Sequence, residues 1–273
     1  MRMRLPSLYI PHGGGPCFFL NPDGSCPPMW TRMRDYLAGL IAALPERPRA
    51  ILLVSGHWEE RAFTVHTGKH PGLLFDYYGF PAHTYQLRWD APGAPDIAER
   101  VRDLLDRAGF ATGVENDRGW DHGVFVPMKV AGPAADIPLV QLSLRADLDP
   151  AAHIKAGEAL APLRDEGVLI VGSGMSFHNL RAYGAPGVLE RSAVFDEALA
   201  EVATDADPVR RRARLADWQS LPEARFSHPR EEHLLPLMVA AGAGADEPAI
   251  HDFRDAVLGS IVSAFRFGGK PTP

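Results

Sequence analysis

Three short, mostly apolar runs, at residues 50–54, 138–144 and 168–172, constrain the fold of this chain more than any other feature. Runs of this length that are bounded by polar residues and glycine are typical of strands buried on both faces of a parallel sheet. Helical patterns separate the runs, and that alternation is typical of α/β proteins. We therefore predict an α/β fold, a single-domain α/β/α sandwich with a mixed central sheet, over residues 1–273.

The other elements are predicted from hydrophobic periodicity and from the positions of proline and glycine. Further strands are expected at residues 8–10, 63–67, 84–89, 113–115 and 258–267. Helices are expected at residues 29–44, 97–107, 150–163, 188–204, 208–218 and 230–241. In the last helix, Pro229 should mark the start and Pro236 should introduce a kink.

Charge and composition argue against several classes of binding partner for this chain. The formal net charge of -6 opposes nonspecific binding to nucleic acid or to an anionic membrane, because both require a basic face. Cys17 and Cys26 are too few for a disulfide scaffold. No apolar stretch has the length of a signal peptide or of a membrane span. We expect a cytoplasmic protein that binds neither nucleic acid nor membrane.

Five of the 11 histidines follow the end of a predicted strand or loop, next to small or helix-opening residues. They are His12 in PHGGGP, His57 in VSGHWEE, His122 in GWDHG, His178 in GSGMSFHN and His233 in HPREEHLLP. Imidazole is the commonest metal ligand in proteins and transfers protons near neutral pH. Because α/β folds place their sites at the ends of strands, the pattern predicts a metal-centred enzyme.

Two other enzyme classes use parts of this pattern. The HGGG segment at residues 12–15 is an oxyanion-hole signature of some esterases, but those enzymes also need a Gly-x-Ser-x-Gly turn. The nearest candidate, residues 174–178, has His178 in place of the last glycine. The glycine-rich turn before His178 would also suit an anion, although no lysine follows the glycines.

Single histidines also have structural explanations. Glu59 or Glu60 could hold the ring of His57, and Asp121 could form a salt bridge with His122. For two other histidines the structural explanation is preferred. His228 is expected to be a helix N-cap or a surface residue, and His153 is expected to face solvent.

Seven motifs, taken together and in order, resemble the class III (LigB-type) extradiol ring-cleaving dioxygenases, in the branch of DOPA 4,5-dioxygenase-like proteins. They lie at residues 11–16 (PHGGGP), 55–58 (SGHW), 75–81 (FDYYGFP), 119–127 (GWDHGVFVP), 137–144 (IPLVQLSL), 172–179 (GSGMSFHN) and 230–236 (REEHLLP). The resemblance therefore extends over nearly the whole chain.

This resemblance implies a non-haem iron(II) enzyme that binds a small aromatic diol and O2 and opens the catechol ring. Position by position, it makes His12, His57 and His233 the metal ligands. His178 becomes the acid/base group and a candidate fourth ligand, and His122 becomes a catalytic group that contacts the substrate or supports the ligands.

The resemblance also yields expectations about substrate, metal and assembly. Trp58, Tyr78 and Ser176 are predicted to contact the substrate, with Phe75, Tyr77 and Phe80 as further candidates for the wall. Arg225 and Arg230 are the candidate arginines for a substrate carboxylate. Three neutral imidazoles also suit zinc, which we predict to occupy the site in protein purified without added iron. A homodimer is possible. The alternatives are a zinc-dependent hydrolase that uses the same histidines and a catalytically inactive member of the fold.

Overall fold

The computed structural model describes residues 3–269, and eight strands form its single sheet. The strands are β1 (Ser7–Pro11), β2 (Ala50–Glu60), β3 (Phe63–His66), β4 (Thr112–Glu115), β5 (Leu139–Arg145), β6 (Val168–Gly174), β7 (Ala249–Val257) and β8 (Ser260–Phe267). Their order across the sheet is β4-β3-β5-β2-β6-β1-β8-β7. The four central strands are parallel, whereas β3 and β8 join them antiparallel.

The central strands are buried on both faces, as their apolar sequences predict. In β2, Leu52 and Val54 pack into the core on one side of the sheet, while Ile51 and Leu53 pack into the core on the other. Successive side chains of a strand point to opposite faces, so a run without polar residues requires a layer of helices on each side.

Helices provide both layers. They are α1 (Thr31–Gly39), α2 (Pro95–Arg107), α3 (His122–Ala131), α4 (Pro150–Leu160), α5 (Val188–Ala203), α6 (Pro208–Ala216), α7 (Ala224–Ser227) and α8 (Leu235–Ala243). Apolar residues of α1 and α3 belong to one core, and those of α2, α4, α8 and most of α5 belong to the other. The predicted α/β/α sandwich with a mixed sheet is confirmed. Within residues 3–269, no helix combines the length and apolar character needed to cross a bilayer.

Two predicted elements are wrong. Residues 84–89 do not form a strand, since the chain makes a 3₁₀ turn over Ala82–Gln86. Both the amide and the hydroxyl of Thr84 donate to the carbonyl of Pro81, which closes that turn. The helix expected over residues 230–241 begins only at Leu235, and Pro236 lies in its first turn instead of kinking it. Proline has no N–H to donate inside a helix but fits the first turn, so Pro236 marks the start of α8.

Three elements were absent from the sequence prediction: α3, the four-residue helix α7 and β7. Helix α3 contains Gly123 and Pro127, both of which argue against a helix in a sequence. Strand β7 pairs with β8 in a hairpin whose turn is made by Leu258 and Gly259, both with positive φ. Helix α3 carries His122, and Leu258 of the hairpin turn lines a cavity.

The expectations for His153 and His228 are also wrong, because both side chains are buried. The Nε2 atom of His153 accepts the backbone N–H of Arg145, and its Nδ1 atom donates to the carbonyl of Asp149. The Nε2 atom of His228 lies 2.9 Å from the carbonyl oxygen of Ser176. Each histidine thus holds a turn together from inside the protein.

Acid should destabilise this protein in part through His153. Burial lowers the pKa of His153 to about 4, so between roughly pH 6.5 and pH 4 the unfolded chain binds the proton and the folded chain does not. The contribution is present above pH 6.5 and is lost as the pH falls, at about 1.4 kcal/mol per pH unit. We expect urea unfolding of H153Q to show a shallower loss of stability between pH 7 and pH 4.5 than wild type. The control is H70Q, at an exposed histidine, and an identical slope in H153Q and wild type would contradict the assignment.

Candidate metal centre

The five histidines singled out from the sequence line one cavity at the carboxyl edge of the central strands. The cavity has a volume of about 440 Å³. His12 follows β1, His57 lies near the carboxyl end of β2, and His178 follows β6. His122 begins α3, and His233 lies just before α8. Parallel strands bring their carboxyl ends to one edge, which is where α/β proteins form their sites.

Three of these rings converge through their Nε2 atoms. The Nε2 atom of His57 lies 3.2 Å from that of His12 and 3.1 Å from that of His233. The three residues form a group whose ligand atoms all lie within 4.8 Å of one another. This is the spacing of side chains that can share one small ion.

Glycines make the convergence sterically possible. A Cβ atom at Gly174, the last residue of β6, would lie 2.0 Å from the carbonyl oxygen of His233. Gly13 has a φ of +80°, and a Cβ there would lie 2.2 Å from the sulfur of Cys17. The chain can therefore turn directly after His12, and the segment before α8 can lie against β6.

The Nδ1 atom of His12 is held by a series of contacts that begins at Pro127. Pro127 has no N–H for the carbonyl of Gly123, one helical turn earlier, and the hydroxyl of Ser173 donates to that carbonyl instead. With its proton used in this way, Ser173 Oγ accepts from His12 Nδ1, 3.0 Å away. The proton of His12 is thus assigned to Nδ1, and Nε2 presents a lone pair.

The other two rings face carboxylates. Glu232 Oε1 lies 3.0 Å from His233 Nδ1 and can only accept, which leaves His233 Nε2 without a proton. His57 Nδ1 lies 3.7 Å from Asp76 Oδ2. The expected partners Glu59 and Glu60 are wrong, because Glu59 pairs with Arg230 and Glu60 accepts from Trp58.

The backbone at His57 is held by a buried polar network. Ser55 Oγ accepts the amide of His57 and donates to Asp121 Oδ1. Arg118 bridges Asp121 Oδ2 and the carbonyl of His57. Asp121 therefore anchors the end of β2, and the predicted Asp121–His122 salt bridge is replaced by one between His122 and Asp76.

The electrostatics of the three converging rings favour the neutral form. Burial lowers the pKa of His57 to about 3, with a further decrease from His122. Burial and the neighbouring rings lower the pKa values of His12 and His233 well below the usual value. The rings of His12 and His233 each present an unprotonated Nε2 atom to the Nε2 atom of His57, and neutral imidazoles grouped in this way fit a divalent cation. Three imidazoles with an open fourth position are a known zinc or iron donor set. The histidines form a candidate metal centre.

His178 and His122 lie beside this centre and are held by carboxylates. His178 Nδ1 is 3.1 Å from Glu232 Oε1, and its ring stacks on that of His233 with centroids 3.4 Å apart. His122 Nδ1 is 2.8 Å from Asp76 Oδ1. In both residues the carboxylate occupies Nδ1, so Nε2 remains for a ligand in the cavity.

The structure does not bring the three predicted substrate contacts to this cavity. Tyr78 is 91% exposed. Trp58 is buried, with its Nε1 atom donating to Glu60. Ser176 is also buried, and its hydroxyl accepts the amide of Ser263. None of the three is among the residues that line the cavity in the described part of the chain.

Sequence reasoning missed Asp76, Ser173 and the contacts of Glu232. Asp76 lies inside the FDYYGFP motif, in which only the aromatic residues were predicted to contact the substrate. A single carboxylate in an otherwise aromatic segment was the available signal. Phe80 of the same motif does line the cavity.

Comparison with known proteins agrees with this geometry. The family of the catalytic LigB subunit of aromatic ring-opening dioxygenase matches residues 7–264. Dioxygenase tasH of Hapsidospora irregularis is 38% identical over 97% of this chain and 86% of its own. The 4,5-DOPA dioxygenase extradiol of Beta vulgaris is 39% identical over 80% of this chain and 81% of its own.

A solved structure agrees as well. The crystal structure of an uncharacterized protein from Escherichia coli K12 has a TM-score of 0.78 and 30% identity, covering 97% of this chain and 100% of that one. The family match, over residues 7–264, spans the positions of all five histidines of the centre, and the relatives match 80% or more of the chain. The chain therefore belongs to the LigB family of extradiol aromatic ring-opening dioxygenases.

Proposed function

We propose that this protein is a metal-dependent dioxygenase that uses iron(II) at His12, His57 and His233 to open a catechol with O2. The observation that carries the proposal is the convergence of three neutral imidazoles, in which the Nε2 atoms of His12 and His233 both lie within 3.2 Å of the Nε2 atom of His57. A bound iron(II) ion would supply a site for both catechol oxygens and for O2, and would hold them within reacting distance.

His178 is proposed as the group that moves the proton. Its Nδ1–H is held by Glu232, so Nε2 is the atom that takes a proton from a substrate hydroxyl and returns it later. The carboxylate of Glu232 stabilises the imidazolium that forms. Burial raises the pKa of Glu232, but its hydrogen bonds, including the one from His178, and the nearby charges of His178 and Arg230 together lower it, which keeps the carboxylate charged.

His122 is proposed to position the substrate. Asp76 accepts both the backbone N–H and the Nδ1–H of His122, which fixes the ring at the start of α3. The ring lies 3.9 Å from that of His57, centroid to centroid, at the edge of the metal centre. From there, Nε2 can accept a hydrogen bond from a substrate hydroxyl next to the metal ligands.

The proposal is tested by removing and replacing the metal. We expect chelated protein to lose activity and anaerobic reloading with iron(II) to restore O2 uptake, with one O2 consumed per catechol and a yellow ring-opened product. Reloading with zinc should fill the site without restoring O2 uptake, since zinc is not redox-active. Metal content is measured beside each rate, and the same measurement on freshly purified protein tests the predicted zinc occupancy.

Two results would count against the proposal. Absence of O2 uptake with every catechol tested, at full iron occupancy, would reject the dioxygenase. Hydrolysis that depends on zinc and proceeds without O2 would favour the zinc-dependent hydrolase instead.

A further inference from the structure

The wall of the cavity beyond the histidines is apolar. It includes Trp30, Phe80 and Met175, whose side chains are at most partly exposed. Among residues 3–269, no lysine, arginine, aspartate or glutamate lines this cavity. A charged group placed here would lose its water and find no partner of opposite charge away from the metal centre, which is costly.

The rim of the cavity is apolar as well. Met29, Leu180 and Leu258 line the cavity and are 53%, 69% and 39% exposed. Single exposed apolar side chains are ordinary, but three that border the same opening form a continuous apolar path from the metal centre to solvent. A ring substituent longer than the cavity would therefore still lie on apolar side chains.

The arginines near the site are engaged elsewhere or lie outside the cavity. Arg225 pairs with Glu231, and Arg230 forms a two-armed ion pair with Glu59, so neither candidate for a substrate carboxylate is available. Arg181 is exposed and lines an adjoining depression on the far side of Leu180. A carboxylate would have to leave the main cavity to reach it.

We infer that the cavity selects catechols with an uncharged, apolar ring substituent over catechols that carry an amino-acid or carboxylate side chain. The inference rests on the proposed function, because it places the diol at the three histidines and the substituent on the wall. This preference would distinguish the chain from its relatives that are named for DOPA. The side chain of DOPA ends in an ammonium group and a carboxylate group. Each methylene that leaves water for such a wall improves binding by roughly fourfold.

The test is anaerobic calorimetric titration of the iron-loaded protein with four ligands: catechol, propylcatechol, dihydrocaffeate and DOPA. Dihydrocaffeate has a side chain of the same length as propylcatechol but ends in a carboxylate. We expect propylcatechol to bind roughly 10- to 100-fold more tightly than catechol, and dihydrocaffeate and DOPA to bind no better than catechol. Dihydrocaffeate or DOPA binding as tightly as propylcatechol would overturn the inference.

Variants locate the preference on the structure. L258N suits the backbone because Leu258 has a φ of 52°, a region that asparagine tolerates better than leucine. It should lower the affinity ratio of hexylcatechol to catechol by roughly three- to tenfold, whereas L189N, at a leucine of similar exposure outside the cavity, should leave the ratio unchanged. An unchanged ratio in L258N would overturn the apolar path.

The variant R181A tests the alternative that Arg181 binds charged side chains in the adjoining depression. If R181A selectively weakens dihydrocaffeate or DOPA, charged side chains are recognised in the adjoining depression and the inference is overturned; equal affinities in R181A and wild type support it. Because affinities are measured without O2, this result is independent of turnover. Tight binding of propylcatechol without ring opening in air would reject the proposed function and leave the ligand preference standing.

Discussion

Replacing His57 with alanine is expected to empty the metal centre and to reduce ring opening by roughly 10³-fold or more. His57 is the central ring of the three, since its Nε2 atom is within 3.2 Å of both His12 Nε2 and His233 Nε2. Without His57, only the imidazoles of His12 and His233 remain as ligands. A site with two imidazoles should not retain iron(II) or zinc through a desalting step.

Metal content decides this prediction before any activity is measured. Iron and zinc are quantified in H57A, in wild type and in H70A, which removes an exposed histidine outside the cavity. H70A should match wild type in metal content and in rate. Circular dichroism checks that H57A is folded. Full metal occupancy in folded H57A would show that the ion binds elsewhere, for example at the neighbouring group of His178, Glu232 and His233.

The parts of the fold that follow from local physics could be predicted from the sequence. Residues 50–54 and 168–172 are apolar at every position apart from the glycine at 172, and a short run of this kind between polar residues and glycine is typical of a strand covered on both faces. Both lie in the centre of the sheet. Glycines mark the ends of those strands, and histidines follow the glycines in sequence. The sequence alone therefore placed these histidines at one edge of the sheet.

The parts that depend on tertiary contacts could not be predicted. Asp76 lies 46 residues before His122 in sequence, and nothing in the local pattern links the carboxylate to that imidazole. Helix α3 contains Pro127, which disfavours a helix when only the sequence is considered. In the folded protein the hydroxyl of Ser173 satisfies the carbonyl that proline leaves without a donor, so tertiary structure compensates for the local cost.

The aromatic residues show the same limit. Aromatic character made Trp58 and Tyr78 candidates for the substrate wall, but it carries no information on direction. One side chain points into the core and the other into solvent, whereas Trp30, far from any histidine motif, lines the cavity. The five histidines that share the cavity could be selected from the sequence, whereas the residues that shape the rest of the pocket could not.

Replacing His178 with alanine is expected to leave the metal in place and to slow ring opening by about 10²–10⁴-fold, the usual contribution of a positioned acid/base group. The three converging Nε2 atoms do not include His178, and its own Nδ1 atom is held by Glu232. If His178 were instead a fourth ligand, H178A would lose affinity for the metal together with activity. Metal titrations of H178A and wild type therefore separate the two roles.

H178F controls for the stacked geometry of this pair of rings. The ring of His178 lies 3.4 Å from that of His233, at 15° between their planes, so alanine removes a packing surface as well as a proton carrier. Phenylalanine retains an aromatic ring at this position but cannot transfer a proton. H178F and H178A should lose activity to the same extent, and added imidazole should partly restore H178A only. If H178F keeps wild-type activity, the contribution of His178 is packing against the metal ligand, and another group must move the proton.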